Sequence, residues 1–289
     1  MTSAAYQGNR VEENVVLVPF AREHLHRALK LSQEMSWPYR LEDWDVALQL
    51  GHGYVLQRLG EVIGTAAWWP YGDTYASAGM IIVAKAAQGR GYGARLMDAL
   101  LASARPRTVM LNSTAEGIML YRRRGFVPLG TIHQHHGIPR GCFEMPPSGL
   151  IKPMAVSDFE AITRLDQEAT GLERRRMLDR LLQSGDGYVL QRGGTPRGYA
   201  ICRLFGRGHV IGPVVADSPA DARALIEAAL APLGRSFVRI DTSATSQLGE
   251  WLDGIGLQQV SDATTMILGT PAPSTGPARL FAFANQSFG

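Results

Sequence analysis

The 289-residue sequence predicts two α/β domains of like architecture in tandem, the product of an internal duplication. Two observations carry that prediction. Shifting the chain by 134 residues lays Gly53-Tyr-Val-Leu-Gln-Arg58 on Gly187-Tyr-Val-Leu-Gln-Arg192, and the ungapped match of Val18–Arg58 with Lys152–Arg192 holds 16 identities in 41 positions. Average residue usage would give roughly 2 to 3. The second observation is the stretch from Ala78 to Leu101, which reads as strand, glycine loop and helix. Gly79 to Ala84 is a near-continuous apolar run suited to a strand covered on both faces. Gln88-Gly89-Arg90-Gly91-Tyr92-Gly93 follows, with glycine at every second position, and then Leu96, Met97, Leu100 and Leu101 recur with helical spacing.

Taken in order, residues 1 to about 13 are polar and are expected to fray. Val15 to Phe20 reads as an opening strand, and Arg22 to Met35 as a helix broken at Ser36-Trp37-Pro38-Tyr39-Arg40, because proline turns its predecessor away from the α region. A second helix is expected from Leu41 to Leu50. Gly53 to Arg58 and Val62 to Trp68 form a hairpin turning at Gly60-Glu61. The second copy begins at Leu150 to Pro153, which places the domains at 1–147 and 148–289. Pro271 to Pro277, rich in proline, serine and glycine, reads as an extended linker, and Leu280 to Phe288 is apolar enough to dock.

The glycines let the backbone approach a bulky anion, and the free amides of the next helix, with its dipole behind them, make a site for phosphate. Gly93-Ala94-Arg95 lacks the Gly-Lys-Ser/Thr of a nucleoside-triphosphate loop. The alternating glycines, with Asn112 instead of an acid ending the next strand, fit a dinucleotide fingerprint poorly. Gln-x-x-Gly-x-Gly after a buried strand, with Val109-Met110-Leu111-Asn112-Ser113-Thr114 and Leu120-Tyr121-Arg122-Arg123-Arg124-Gly125-Phe126 downstream, resembles the acetyl-CoA motif of the GNAT superfamily of N-acetyltransferases. The resemblance implies a mixed sheet in each copy. Lys85 departs from it, since a proline is common there.

Only one copy keeps these features. Where copy one has Ala87 to Gly93, copy two has Asp217-Ser218-Pro219-Ala220-Asp221-Ala222-Arg223, a well-capped helix start whose acids would repel a pyrophosphate. Tyr121 falls on Leu252. Copy two resembles the degenerate C-terminal partner of a bacterial branch of two-domain GNAT proteins, and the likeness covers nearly the whole chain.

The resemblance implies a cofactor site at Ile81, Ile82, Val83, Gln88, Gly89, Arg90, Gly91, Tyr92, Gly93, Ala94, Asn112 and Tyr121, with acetyl-CoA as cosubstrate. Acetyl transfer to an amine requires a neutral nucleophile, a stabilised oxyanion and a protonated leaving thiol. Backbone amides near Ile82 and Val83 are similar to the group that polarises the acetyl carbonyl. Tyr121 is similarly placed to protonate the departing thiolate; the alternative is a phenol that packs beside the cofactor. Asn112 would bond the pantetheine arm or hold a water, or simply cap a turn. No base announces itself. Trp37 and Tyr39 occupy the segment that meets acceptors in this fold. A cleft shared with copy two is expected to take the acceptor, with Asp166 and Arg174 as second-half contributors if their helix continues past Gly171.

His133-Gln134-His135-His136 invites a metal, but two histidines on one strand face without a third ligand make a poor zinc site, and no metal is expected. A net charge of +3 spread without a basic block argues against nucleic acid. Cys142 and Cys202 have no pairing or metal spacing, which points to a reduced compartment. No apolar run approaches a membrane span, and the first residues lack the apolar core of a signal peptide, so a cytoplasmic enzyme, monomer or homodimer, is expected. The expected activity is acetyl-CoA-dependent N-acetyl transfer to the primary amine of a small-molecule acceptor. The alternative is a non-catalytic acetyl-CoA sensor or protein-interaction module.

Overall fold

The computed structural model describes residues 15–146 and 149–289. The expected boundary at 147/148 and the polar stretch 1–13 lie outside the described residues. Copy one runs β1 (Val15–Pro19), α1 (Leu25–Glu34), α2 (Leu41–Leu50), β2 (His52–Arg58), β3 (Glu61–Tyr71), β4 (Tyr75–Val83), α3 (Tyr92–Ala104), β5 (Thr108–Ser113), α4 (Ile118–Arg122) and β6 (Val127–Gly137). Copy two runs β7 (Ile151–Pro153), α5 (Phe159–Thr170), α6 (Arg175–Leu182), β8 (Gly185–Arg192), β9 (Thr195–Phe205), β10 (Gly208–Ala216), α7 (Pro219–Leu230), β11 (Val238–Ser243), α8 (Gly249–Gly254), β12 (Gln258–Leu268) and β13 (Arg279–Phe283).

Local chemistry accounts for the boundaries that matter. At the start of α2 the extended Arg40 donates its amide to the Asp43 carboxylate at 2.9 Å, and its guanidinium donates to the same carboxylate, so Asp43 holds the chain at the helix entrance. The β2–β3 hairpin turns at Leu59 and Gly60, both at positive φ, one residue earlier than the sequence suggests. Ser218 caps α7 by accepting the Asp221 amide at 3.2 Å, with Pro219 in the first helical position, as its sequence predicts.

The strands form one mixed sheet in the order β1-β2-β3-β4-β5-β12-β6-β11-β13-β10-β9-β8-β7. The two copies have exchanged their last strands. β12 of copy two pairs with β5 of copy one, Thr264 opposite Ser113 through Leu268 opposite Val109, while β6 of copy one pairs with β11 of copy two. β6 and β12 also pair with each other along most of their length, which fuses the two half-sheets and leaves neither as an edge. A fragment ending near residue 147 therefore loses the strand that covers β5 and keeps one whose partner is gone.

The cores follow the same plan. α3 covers copy one through Leu96, Met97 and Leu100, and α7 covers copy two through Leu225, Ile226 and Ala229. On the other face a single core is common to both halves, with Trp44 and Trp69 from copy one and Ile162, Leu178 and Tyr199 from copy two. Apolar burial of this kind is worth roughly 25 cal/mol per Å², so a core held in common binds the halves together strongly. No helix among the described residues is long and apolar enough to cross a membrane.

Candidate active site

A β-bulge creates the site. Opposite Ala66, β4 carries two residues, Met80 and Ile81; Met80 takes a left-handed φ of 51°, and its carbonyl accepts the Thr65 hydroxyl at 2.7 Å. β4 is thereby turned away from β5. Their parallel pairing runs from Tyr75 opposite Thr108 to Ala78 opposite Leu111 and stops there. Beyond that point the strands part, and the wedge opens into a cleft of about 820 Å³.

The glycine loop closes one end of this cleft. Gly89 and Gly91 have φ of 77° and 81°, and a Cβ on either would point into open space. Gly91 caps α3, whose first intrahelical bond runs from the Arg95 amide to the Gly91 carbonyl at 3.0 Å. The amides of Tyr92, Gly93 and Ala94 precede it and are left for a ligand, and no acid stands in that first turn. Gln88 donates its side-chain amide to the Val83 carbonyl at 3.1 Å, tying the loop to the end of β4.

Of the residues the sequence assigned to a cofactor, Ile81, Ile82, Val83, Gln88, Gly89, Gly91, Tyr92, Gly93, Asn112 and Tyr121 line this cleft; Arg90 and Ala94 stand beside it in the chain without lining it. Asn112 also bonds within the protein. Its Nδ2 donates to the Gln286 carbonyl and its Oδ1 accepts from the Thr265 hydroxyl, both at 2.7 Å, which fixes the amide at the cleft wall with one further donor and one further acceptor site to spare.

Tyr121 is mostly buried, packed edge-on against Phe126, and burial pushes its phenol up to about 12. That value alters its chemistry. A phenol raised above a thiol's ordinary value near 8.5 gives its proton to a thiolate less readily than an unburied one would. The phenol is thus suited to hydrogen-bonding a thiolate as charge develops, and it stays protonated throughout the neutral range.

Trp37 and Tyr39 line the far end of the cleft, facing Phe205, Arg239, Ser261, Gln286 and Ser287 from copy two. Asp166 and Arg174 do not join them. α5 ends at Thr170, and Gly171 takes the left-handed φ of 70° that terminates a helix. The chain then folds back so that Arg174 donates Nε and Nη2 to both Asp166 carboxylate oxygens, at 3.0 and 2.6 Å, inside the core common to both halves. Burial opposes the Arg174 charge, but the adjacent Asp166 carboxylate raises its pKa above the ordinary value.

The histidine run divides by strand alternation. Gln134 faces the cleft, whereas His135 is buried against the Leu257 carbonyl at 3.2 Å and His133 lies 3.8 Å from Asp262. No three metal-ligating side chains gather among the described residues.

Copy two reaches the same stage and fills it differently. β10 and β11 pair only at His209 with Val238 and Val210 with Arg239 before parting, and β10 has its own bulge between Ile211 and Val214. β13 occupies the gap, pairing with both strands. At the start of α7, Asp217 and Asp221 are held by Arg197 and Arg192, so ion pairs stand where copy one has open amides.

Comparison with known proteins agrees with this architecture. Two family models described as acetyltransferase (GNAT) domain match residues 49–128 and 162–282. The chain is 25% identical over 284 residues to the uncharacterized N-acetyltransferase YitH of Bacillus subtilis, covering 94% of this chain and 98% of that protein. It is 26% identical over 270 residues to the holothin acyltransferase of a Pseudoalteromonas species, covering 83% and 91%. Among solved structures, a putative acetyltransferase from Pyrococcus horikoshii superimposes with a TM-score of 0.80 at 19% identity, covering 99% of this chain and all of that one. A tandem GNAT protein from the clavulanic acid biosynthesis pathway does so with a TM-score of 0.64 at 15% identity, covering 90% and 99%. The chain belongs to the GNAT superfamily of acetyltransferases, as two such domains in tandem.

Proposed function

We propose that copy one transfers an acetyl group from acetyl-CoA to the primary amine of a small-molecule acceptor, and that copy two binds no cofactor. The observation that carries this reading is the meeting, in one cleft, of the parted β4 and β5, the amides opening α3 and the Tyr121 phenol. Pyrophosphate would lie on the loop from Gly89 to Gly93, with the thioester reaching the backbone of Ile82 and Val83, whose amides polarise its carbonyl. The amine attacks as the neutral base, the carbon–sulfur bond breaks, and Tyr121 hydrogen-bonds the departing sulfur. Glu116 is a poor base for the amine, since its own backbone and Thr114 hold its carboxyl below the usual range. The proton is given up to water.

Release of CoA when acetyl-CoA is incubated with a panel of primary amines tests this reading; binding without release under every amine would favour the sensor. Tyr121→Phe should lower turnover about 10²-fold with little change in acetyl-CoA affinity. A phenol near 12 loses its proton only as pH rises through that value, so the variant's pH profile should be scaled down with its limbs unmoved between pH 6 and 10. Unchanged turnover would leave Tyr121 as a packing residue. Calorimetric titration should give one acetyl-CoA per chain, because β13 fills the copy-two wedge. Two equivalents would overturn the assignment of the site to copy one.

A further inference from the structure

We propose that the turn Asn285–Ser287 is the acceptor-reading wall of the cleft, selecting an amine whose frame carries hydroxyl or amide groups, and that Arg174 and Tyr71 are positioning residues holding it. This rests on the acetyl-transfer reading above. Asn285, Ser287 and Phe288 are all buried. The Asn285 side-chain oxygen accepts from the amides of Ser287 and Phe288, each at 2.8 Å, which folds the segment into a hook. The Tyr71 hydroxyl donates to the Phe288 carbonyl, Arg174 Nη1 donates to the Gly289 carbonyl at 3.0 Å, and the Phe288 ring meets Trp69 edge-on.

All this anchoring presents two side chains. Ser287 Oγ lies 3.2 Å from the Tyr39 hydroxyl and packs on Gly79, where a Cβ would come within 2.9 Å of it. Gly79 is the first residue of β4 beyond its last pairing with β5, at the parting that a thioester must approach. Gln286 donates its side-chain amide to Gln134 Oε1 at 3.3 Å. The hook and its partners therefore offer hydroxyls and carboxamides, complementary to neutral polar groups. The carboxylates that also line the cleft, Glu116 and Asp262, are exposed to solvent and neither belongs to the hook, so a polyamine would find no carboxylate on this wall.

The test uses the intact chain, with acetyl-CoA affinity measured by calorimetry and kcat/KM measured for glucosamine, glycinamide, phenethylamine and spermidine. Glucosamine or glycinamide should lead spermidine by at least about 10-fold. Ser287→Leu and Gln286→Ala should raise the leading amine's KM by about 10-fold and reorder the ranking, with acetyl-CoA affinity within about 3-fold of the parent. Tyr71→Phe, which removes one hydroxyl, should raise that KM several-fold with kcat little changed; Ser287→Ala serves if the leucine variant fails to fold. An unaltered ranking in the Ser287 and Gln286 variants with donor binding retained overturns the inference alone, and a lead for spermidine overturns the acceptor class. A parent chain that binds no acetyl-CoA overturns the acetyl-transfer reading and the inference with it.

Discussion

Asp166→Ala should cost about 3 to 5 kcal/mol of stability, read by denaturant or thermal unfolding, because it strands a buried cation. The Arg174 and Asp166 side chains are almost wholly removed from solvent. Deleting the carboxylate leaves Arg174 with only neutral partners, the Gly289 carbonyl and the Tyr199 phenol, and takes away the acceptor of the Tyr199 hydroxyl. At roughly 2 to 4 °C per kcal/mol for a domain of 150 to 250 residues, the melting temperature should fall by about 6 °C or more. The ion pair is not therefore a large net stabiliser, since its own desolvation offsets most of the attraction. Asp166→Leu with Arg174→Met, apolar and similar in volume, should recover most of the loss. A double variant as unstable as the single one would show that the pair itself, and not the stranded charge, carries the stability.

The tandem architecture was legible because a duplicated sequence repeats its own pattern, and the glycine loop because glycine takes the left-handed conformation of Gly89 and Gly91 without penalty. The replacement of the glycine loop in copy two by a capped helix start could likewise be read from Asp217-Ser218-Pro219. Strand exchange could not. β6 and β12 are equivalent strands of one repeat, each long enough to pair with either β5 or β11, and no local residue encodes which neighbour is taken. The apolar tail announced that it docks; where it docks depends on tertiary contacts to Tyr71, Arg174 and Arg203 that lie far away in sequence. Gln134, Arg239 and Ser261 reach the cleft through the exchange, so nothing in their local sequence marks them. Asp166 and Arg174 are a case that local sequence does decide. Gly171 between them is a helix terminator, and reading it so turns a supposed helix face into a fold-back pair.

Gly91→Val should abolish measurable acetyl-CoA binding, a loss of at least about 10²-fold, while far-ultraviolet circular dichroism stays that of the parent. The expectation follows from what surrounds the position. No protein atom lies within 4 Å of where a Cβ would stand at Gly91, so the substitution meets no neighbour in the unliganded fold. The space it fills is the cleft itself, over the amides that open α3, where close backbone approach to a pyrophosphate is required. A non-glycine residue at φ 81° also carries a conformational penalty of about 1 to 2 kcal/mol, greater for a β-branched one, so the melting temperature should drop by a few degrees without global unfolding. Gly91→Ala, with less bulk, should fall between the two in affinity. Gly93→Ala, two residues on in the first turn of α3, is the milder comparison: its Cβ would meet Leu120 at 3.6 Å and Val83 at 3.8 Å, ordinary contact distances, and its backbone is helical. Calorimetric titration of the three variants should rank them Gly93→Ala, Gly91→Ala, Gly91→Val in falling affinity. Full binding by Gly91→Val would place the phosphates elsewhere in the molecule.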